Sequence, residues 1–380
     1  MNIMNKKIKN HPIAEIINLK NNFFIYIFFI AYFALGISIF KDFGISFDEN
    51  INRTNGFVSL NYIINLFGLD VDLDPFYKNI PSLTNYIDRE YGVVFDLPAA
   101  FFEVVLGLNN IKDIYLLRHL MTFLIFYLSS LCFFFLCEEV FKDKIIALIG
   151  FTFLIFSPRI FAESFYNSKD IIFLSFLIFS IHFNIKFLNL ANNKNIFFAA
   201  FFSALMANVR IVGIFVPLLT FFFYFFHTGE IKNKKKIYSF VKYLIIYLFI
   251  LILFWPFLWE NSFKNLVSAV IEFANYPWLG QILYNGEYLS AKFIPWHYFI
   301  FWFFMTTPLI FFLIIFGGFL LILKTLFQNL IKIEDNEYKN LWNNKYEMIS
   351  LYIFFIFFTP LFFIILFDST LYTGWRQLYF

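Results

Sequence analysis

Val93-Val94-Phe95-Asp96-Leu97-Pro98-Ala99-Ala100-Phe101-Phe102-Glu103-Val104-Val105-Leu106-Gly107-Leu108 is apolar enough to enter a bilayer, yet short and acidic for a crossing. A hydrocarbon core about 30 Å thick asks for about 20 apolar residues. Asp96 and Glu103 would lie within it at a cost of about 3 kcal/mol each. The stretch reads as an interfacial or re-entrant helix, and that choice orients every helix after it. With 93–108 kept on one side, the lysines collect on the opposite face. They are Lys6, Lys7, Lys9, Lys20, Lys142, Lys144, Lys194, the Lys232/Lys234/Lys235/Lys236 cluster and the stretch from Lys324 to Lys345. The positive-inside rule makes that face cytoplasmic. A crossing at 93–108 would instead send the Lys232–Lys236 cluster outward while the N-terminal lysines stayed inside.

Composition excludes a soluble globular domain. Of 380 residues, 61% are hydrophobic, 24% aromatic and 14% charged, with a mean hydropathy of +0.71; soluble domains carry about 25% charged residues. The apolar runs are 22–40, 118–137, 145–157, 171–189, 196–226, 240–258, 298–323 and 348–367. The run 196–226 is too long for one span and is interrupted by Asn208, Arg210 and Gly213. It predicts two helices meeting at Arg210, and therefore nine spans in all. The expected fold is an all-α polytopic membrane protein with a cytoplasmic N-terminus over 1–21 and one transmembrane domain over 22–380. Long outer loops fall at 41–117, 158–170 and 259–297, the first carrying juxtamembrane helix, and 324–347 reads as a solvated connector.

Several chemistries are excluded at once. No basic run interleaved with aromatics lies outside the apolar segments, so nucleic acid is not a partner. Cys132 and Cys137 lie in one apolar helix and give neither a disulfide framework nor a metal site. His119, His182 and His227 are scattered, no His/Asp/Glu set has metal-ligand spacing, and no Gly-rich phosphate loop or nucleophile-elbow string occurs.

Most acidic residues fall on the outer face, where five constellations are expected. Asp48 and Glu49 follow the first membrane exit, with Arg53 four residues on. Asp48 reads either as a helix cap or as a base for a hydroxyl; Glu49 and Arg53 are spaced to pair along a helix. Ser157-Pro158-Arg159 through Asn167-Ser168-Lys169-Asp170 places Arg159, Glu163, Lys169 and Asp170 in one short loop. Arginine and lysine beside lipid suit a lipid-linked phosphate, arginine by bidentate contact. Arg210 inside an apolar run reads as facing a cavity or as an interfacial anchor. The fourth runs from Tyr276-Pro277-Trp278 to an Asn285-Gly286 turn with Glu287, then Pro295-Trp296-His297-Tyr298. The fifth is Tyr372-Thr373-Gly374-Trp375-Arg376.

In their order and sidedness these strings resemble the GT-C glycosyltransferases, in particular the dolichyl-phosphate-mannose protein mannosyltransferases and the related bacterial aminoarabinose transferases. Asp48-Glu49 resembles the family's acidic pair in the first outer loop. The run Arg118-His119 to Asp170 is similar to one bacterial branch, as are Leu283 to Tyr288, Pro295 to Tyr298, Thr306-Thr307-Pro308 and Gly374-Trp375-Arg376. The resemblance implies an inner-membrane enzyme that moves a sugar from a polyprenyl-phosphate donor to a lipid, glycan or protein acceptor on the outer or periplasmic side, usually with inversion. It implies Asp48 as base, with Glu49 beside it, and Arg159, Lys169 and Arg210 as donor-phosphate ligands. Arg53, Glu163, Asp170, Glu287 and Arg376 join them as substrate-binding candidates; the second acidic position of the family is Glu163 or Asp170. No cofactor is implied, and a metal is not indicated. Family chains continue beyond the Gly-Trp-Arg region, so this chain is expected to be truncated at its C-terminus. The competing reading is a transporter or flippase of lipid-linked sugars, or an inactive fragment. Against transport, no paired broken helices mark a midplane site.

Overall fold

Apolar runs of this length have one way to satisfy their backbone in lipid, the α-helix, and the chain takes it throughout. The computed structural model describes residues 12–226, 234–274, 278, 280–334 and 341–367. In chain order the helices are α1 (Pro12–Ile39), α2 (Glu49–Phe67), α3 (Asp96–Val105), α4 (Ile111–Phe141), α5 (Lys144–Ile155), α6 (Pro158–Tyr166), α7 (Asp170–Asn189) and α8 (Asn193–Val209). They continue as α9 (Phe215–Phe226), α10 (Lys234–Leu253), α11 (Ser262–Ala274), α12 (Tyr298–Thr306), α13 (Leu309–Glu334) and α14 (Lys345–Leu366). One antiparallel hairpin departs from the expected all-α fold: β1 (Gln281–Tyr284) pairs with β2 (Glu287–Ser290), Tyr284 opposite Glu287. Its turn uses the left-handed region at Asn285 and Gly286, with φ of 50° and 87°, which suits an Asn-Gly pair.

The short turns carry their own signals. Asp143 accepts from the amides of Ile145 and Ile146, Asn192 from Asn195, and Asn344 from Tyr346 and Glu347. Each gives otherwise orphaned amides at a helix start a partner.

Six helices are long and apolar enough to cross a membrane, or seven if α5 and α6, bent by 65°, form one span. By length and composition the described residues thus supply six or seven of the expected nine spans. The run 196–226 does break at Arg210, whose backbone is extended at φ −141° and ψ 127°. Both resulting pieces fall short of a full span. The run 298–323 is also two helices, because Pro308 disfavours helical backbone at Thr307, which is extended at ψ 124°. The longer piece, α13, continues to Glu334, so the first half of the expected connector 324–347 is helix. The expected loop 158–170 is largely the helix α6, opened by Pro158 at its first position where proline is tolerated.

In the stretch 93–108 the helix α3 is ten residues long, too short to span a bilayer alone, and turns both of its carboxylates into the protein. It lies against α2 at Gly56, where an added Cβ would sit 2.2 Å from the carbonyl oxygen of Asp96.

The core is formed by α7, α8 and α10, with α4, α9 and α14 around them. In lipid, buried polar side chains on packed helices must find one another. Asn184 donates to Ser203 at 2.9 Å, Thr220 bonds Tyr352 at 2.8 Å, and Tyr243 donates to Ser203 at 3.0 Å. At one end of this bundle Lys345 meets Glu139 at 3.7 Å and Lys242 meets Asn193 at 2.8 Å. The acidic loops gather at the other end.

Replacing Gly56 by Ala forces α2 and α3 apart and is expected to cost about 1–3 kcal/mol. The variant should melt several degrees lower in detergent. Gly317→Ala, where no atom lies within 4 Å of the new Cβ, should leave the melting temperature unchanged.

Candidate functional site

Segments far apart in sequence meet where α4 and α7 begin and α8 ends. The centre is Glu103 on α3, fully buried. One carboxylate oxygen accepts from Arg118 Nε of α4 at 2.7 Å and the other from Arg53 Nε of α2 at 2.8 Å. Arg53 also donates to the carbonyl of Phe76 at 2.9 Å and lies over the rings of Phe57 and Tyr77. The expected Glu49–Arg53 pair along α2 is therefore not made. Arg53 turns to Glu103, and Glu49 turns to His119 of α4 at 2.9 Å. A buried carboxylate needs a donor or cation more than a solvated i,i+4 pair does.

From Arg118 the contacts continue. Its guanidinium lies 3.9 Å from Asp96, and Lys169 lies 3.8 Å from the other oxygen of Asp96. The Lys169 ammonium donates to the carbonyl of Gly92 at 2.9 Å and sits over the ring of Tyr91. Next to it, Asp170 pairs with Arg210. The turn before α7 is shaped by Asn167, which accepts from the amide of Asp170 at 2.8 Å and donates to Glu163 at 2.7 Å. Asn52 of α2 donates to Ser168 at 3.0 Å, tying the first outer segment to this turn. Asn208 accepts from the amides of Val93 and Val94, both at 3.1 Å, which anchors the approach to α3 on α8.

The structure thus brings together Glu49, Arg53, Glu163, Lys169, Asp170 and Arg210. Arg159 lies one helical turn from Glu163, at 4.0 Å. Asp48 stands at the head of α2 with helical backbone angles of −85° and −14°, and its side chain makes no capping bond. An N-cap residue usually has extended backbone, so the cap reading does not hold, and this carboxylate stays half-exposed. The side chains of Arg159 and Arg210 are 39% and 21% exposed, whereas Lys169 is buried and engaged. Glu287 is not brought in: it is exposed on the hairpin, whose own small core of Ile282, Ala291 and Tyr298 packs with Leu361 and Ile364 of α14. Arg376 lies outside the described residues.

Sequence reasoning passed over four partners: Asp96, Glu103, Arg118 and His119. In sequence the first two argue only against a crossing, and Arg118-His119 carries only a resemblance, with no site role. The available signal was two adjacent ionisable residues two turns into a long apolar helix, which cannot be left unpaired there. Among the described residues, no group of three or more His, Cys, Asp or Glu side chains could hold a metal ion.

Burial pushes the Asp96 carboxyl up to about 6, against the pull of Lys169 and Arg118. Burial also draws Lys169 down to about 8, against Asp96. For Asp96, between pH 3.8 and about 6 the unfolded chain has lost a proton that the native state keeps. Its contribution to stability therefore falls as pH rises through that window. For Lys169 the native state gives up its proton first, so stability rises with pH between about 8 and 10.5. Melting temperatures of wild type and Asp96→Asn across pH 4–6 should differ in slope, with the variant losing the decline that Asp96 contributes.

No curated protein and no solved structure gives a match. A family model does. Residues 99–259, which carry Glu103, Arg118, Arg159, Lys169, Asp170 and Arg210, match the dolichyl-phosphate-mannose-protein mannosyltransferase model, and with the apolar helices around them this match supports a GT-C glycosyltransferase.

Proposed function

We propose that the chain transfers a sugar from a polyprenyl-phosphate donor to a hydroxyl-bearing acceptor, with Asp48 as the base. The observation that carries this reading is the state of Asp48. It is a half-exposed carboxylate at the head of α2, at the end of the bundle where the side chains of Arg159 and Arg210 are partly exposed. The reaction needs that pair of features. Asp48 accepts the proton of the acceptor hydroxyl as its oxygen bonds to the anomeric carbon. The bond from that carbon to the phosphate oxygen breaks, and polyprenyl phosphate leaves. Attack opposite the leaving group inverts the anomeric centre. A departing phosphate is already charged, so cations stabilise it and no general acid is needed. Arg210 and Arg159 supply bidentate donors. Lys169, occupied by Gly92 and Asp96, contributes its charge without contact.

The face follows from charge. Lys142, Lys144, Lys194 and Lys234 to Lys236 border the turns at the opposite end of the bundle. The positive-inside rule sets that end in the cytoplasm and the Asp48 end outside, where a bacterial inner-membrane enzyme would meet lipid, glycan or protein acceptors. A flippase is disfavoured by the family match, which is to transferases.

In proteoliposomes given a radiolabelled polyprenyl-phosphate sugar and an acceptor extract, Asp48→Asn should lower the transfer rate about 100-fold or more, with donor binding retained. Unchanged transfer in Asp48→Asn would remove Asp48 from the chemistry, and donor crossing the bilayer without transfer would favour the flippase.

A further inference from the structure

We infer that His119 is a positioning residue for Asp48, acting through Glu49. The inference rests on the transferase reading above. Glu49 is the first residue of α2 and is 1% exposed. A carboxylate buried there is costly unless hydrogen-bonded. Its two oxygens face different ways. Oε2 accepts from the backbone amide of Ser46 at 2.5 Å, and Oε1 meets Nε2 of His119 at 2.9 Å. The amide of Glu49 also donates back to the carbonyl of Ser46 at 3.3 Å. Ser46 to Glu49 is therefore closed by bonds in both directions, and Asp48 lies inside that closed turn.

This explains the backbone of Asp48. The turn carries helical angles one residue before α2, and the Asp48 side chain makes no capping bond. The two bonds between Ser46 and Glu49 hold the turn in place of that cap. The other end of the clamp is held on α4. His119 sits on α4 beside Arg118, which is held to Glu103 at 2.6 Å. His119 is itself buried, and its Nδ1 has no hydrogen-bond partner among the described residues. Its link to Glu49 is thus the ring's one hydrogen bond there, with Nε2–H donating to the carboxylate. Asp48 is referred to α4 through this bond, and through α4 to the Arg118–Glu103–Arg53 contacts.

The test compares His119→Leu with His119→Gln, whose amide nitrogen can replace the Nε2 donor. A displacement of about 1 Å at a reacting group costs about 100-fold in rate. His119→Leu should lower kcat by about that factor with KM for the polyprenyl-phosphate sugar within about twofold, and His119→Gln should recover most of it. Hydrogen exchange of peptides covering 46–52 should rise in His119→Leu and return toward wild type in His119→Gln, whatever the activity. Wild-type kcat in His119→Leu would overturn the inference. So would equal losses in both variants accompanied by equal drops in melting temperature. A wild type that transfers nothing but shows the exchange contrast would remove the transferase reading and leave the clamp standing. An active wild type with no exchange contrast would do the reverse.

Discussion

One carboxylate holds two arginines from two other helices: Glu103 accepts from Arg53 on one oxygen and from Arg118 on the other. Removing one member of such a buried set leaves an uncompensated charge and costs about 3–5 kcal/mol, so the three residues stand or fall together. Their helices, α2, α3 and α4, are the ones that bring the first outer segment onto the bundle. From Arg118 the alternation of sign runs through Asp96 to Lys169, with the Asp170–Arg210 pair beside it. The chain of contacts begins and ends on an arginine, and the last of these is partly open. Positive charge is thereby fixed in a region of low dielectric, where it acts on an anion more strongly than in water.

The same constraint explains α3. Its apolar composition alone would have suited a membrane. Asp96 and Glu103 face inward because their partners, Arg118 and Lys169, are on the bundle. An amphipathic piece ten residues long then satisfies both demands, with Phe101, Phe102 and Val105 exposed and the carboxylates buried. The topology of everything downstream depends on this local choice.

Much of this was legible in the chain. The break at Arg210 was readable because Asn208, Arg210 and Gly213 interrupt a run too long for one helix, and the break is where Arg210 reaches Asp170. The shortness of the helix in 93–108 and the inward turn of its carboxylates were readable from Asp96, Glu103 and a missing few residues of length. The number of spans was less so: hydropathy alone does not reveal that Pro308 splits one run or that α5 and α6 are bent at Ser157-Pro158. The pairings were least legible. Sequence spacing offers Glu49 to Arg53, whereas burial awards Arg53 to Glu103 and Glu49 to His119, partners 50 and 70 residues away. Local periodicity carries no record of such tertiary choices. The family match over 99–259 begins inside α3 and so covers the cationic half of the site; Asp48, Glu49 and Arg53 are joined to it by the contacts alone.

The meeting of the first outer segment with the turn before α7 is the geometry on which this site stands. Asn52 and Ser168 touch at 3.0 Å across 116 residues of chain. With Cys132 and Cys137 replaced by alanine, the double variant Asn52→Cys/Ser168→Cys should form a disulfide under mild oxidation, read as a single linked species after cleavage between the two positions. Two unlinked fragments, each with a thiol that still reacts with a small maleimide, would contradict the assembled site.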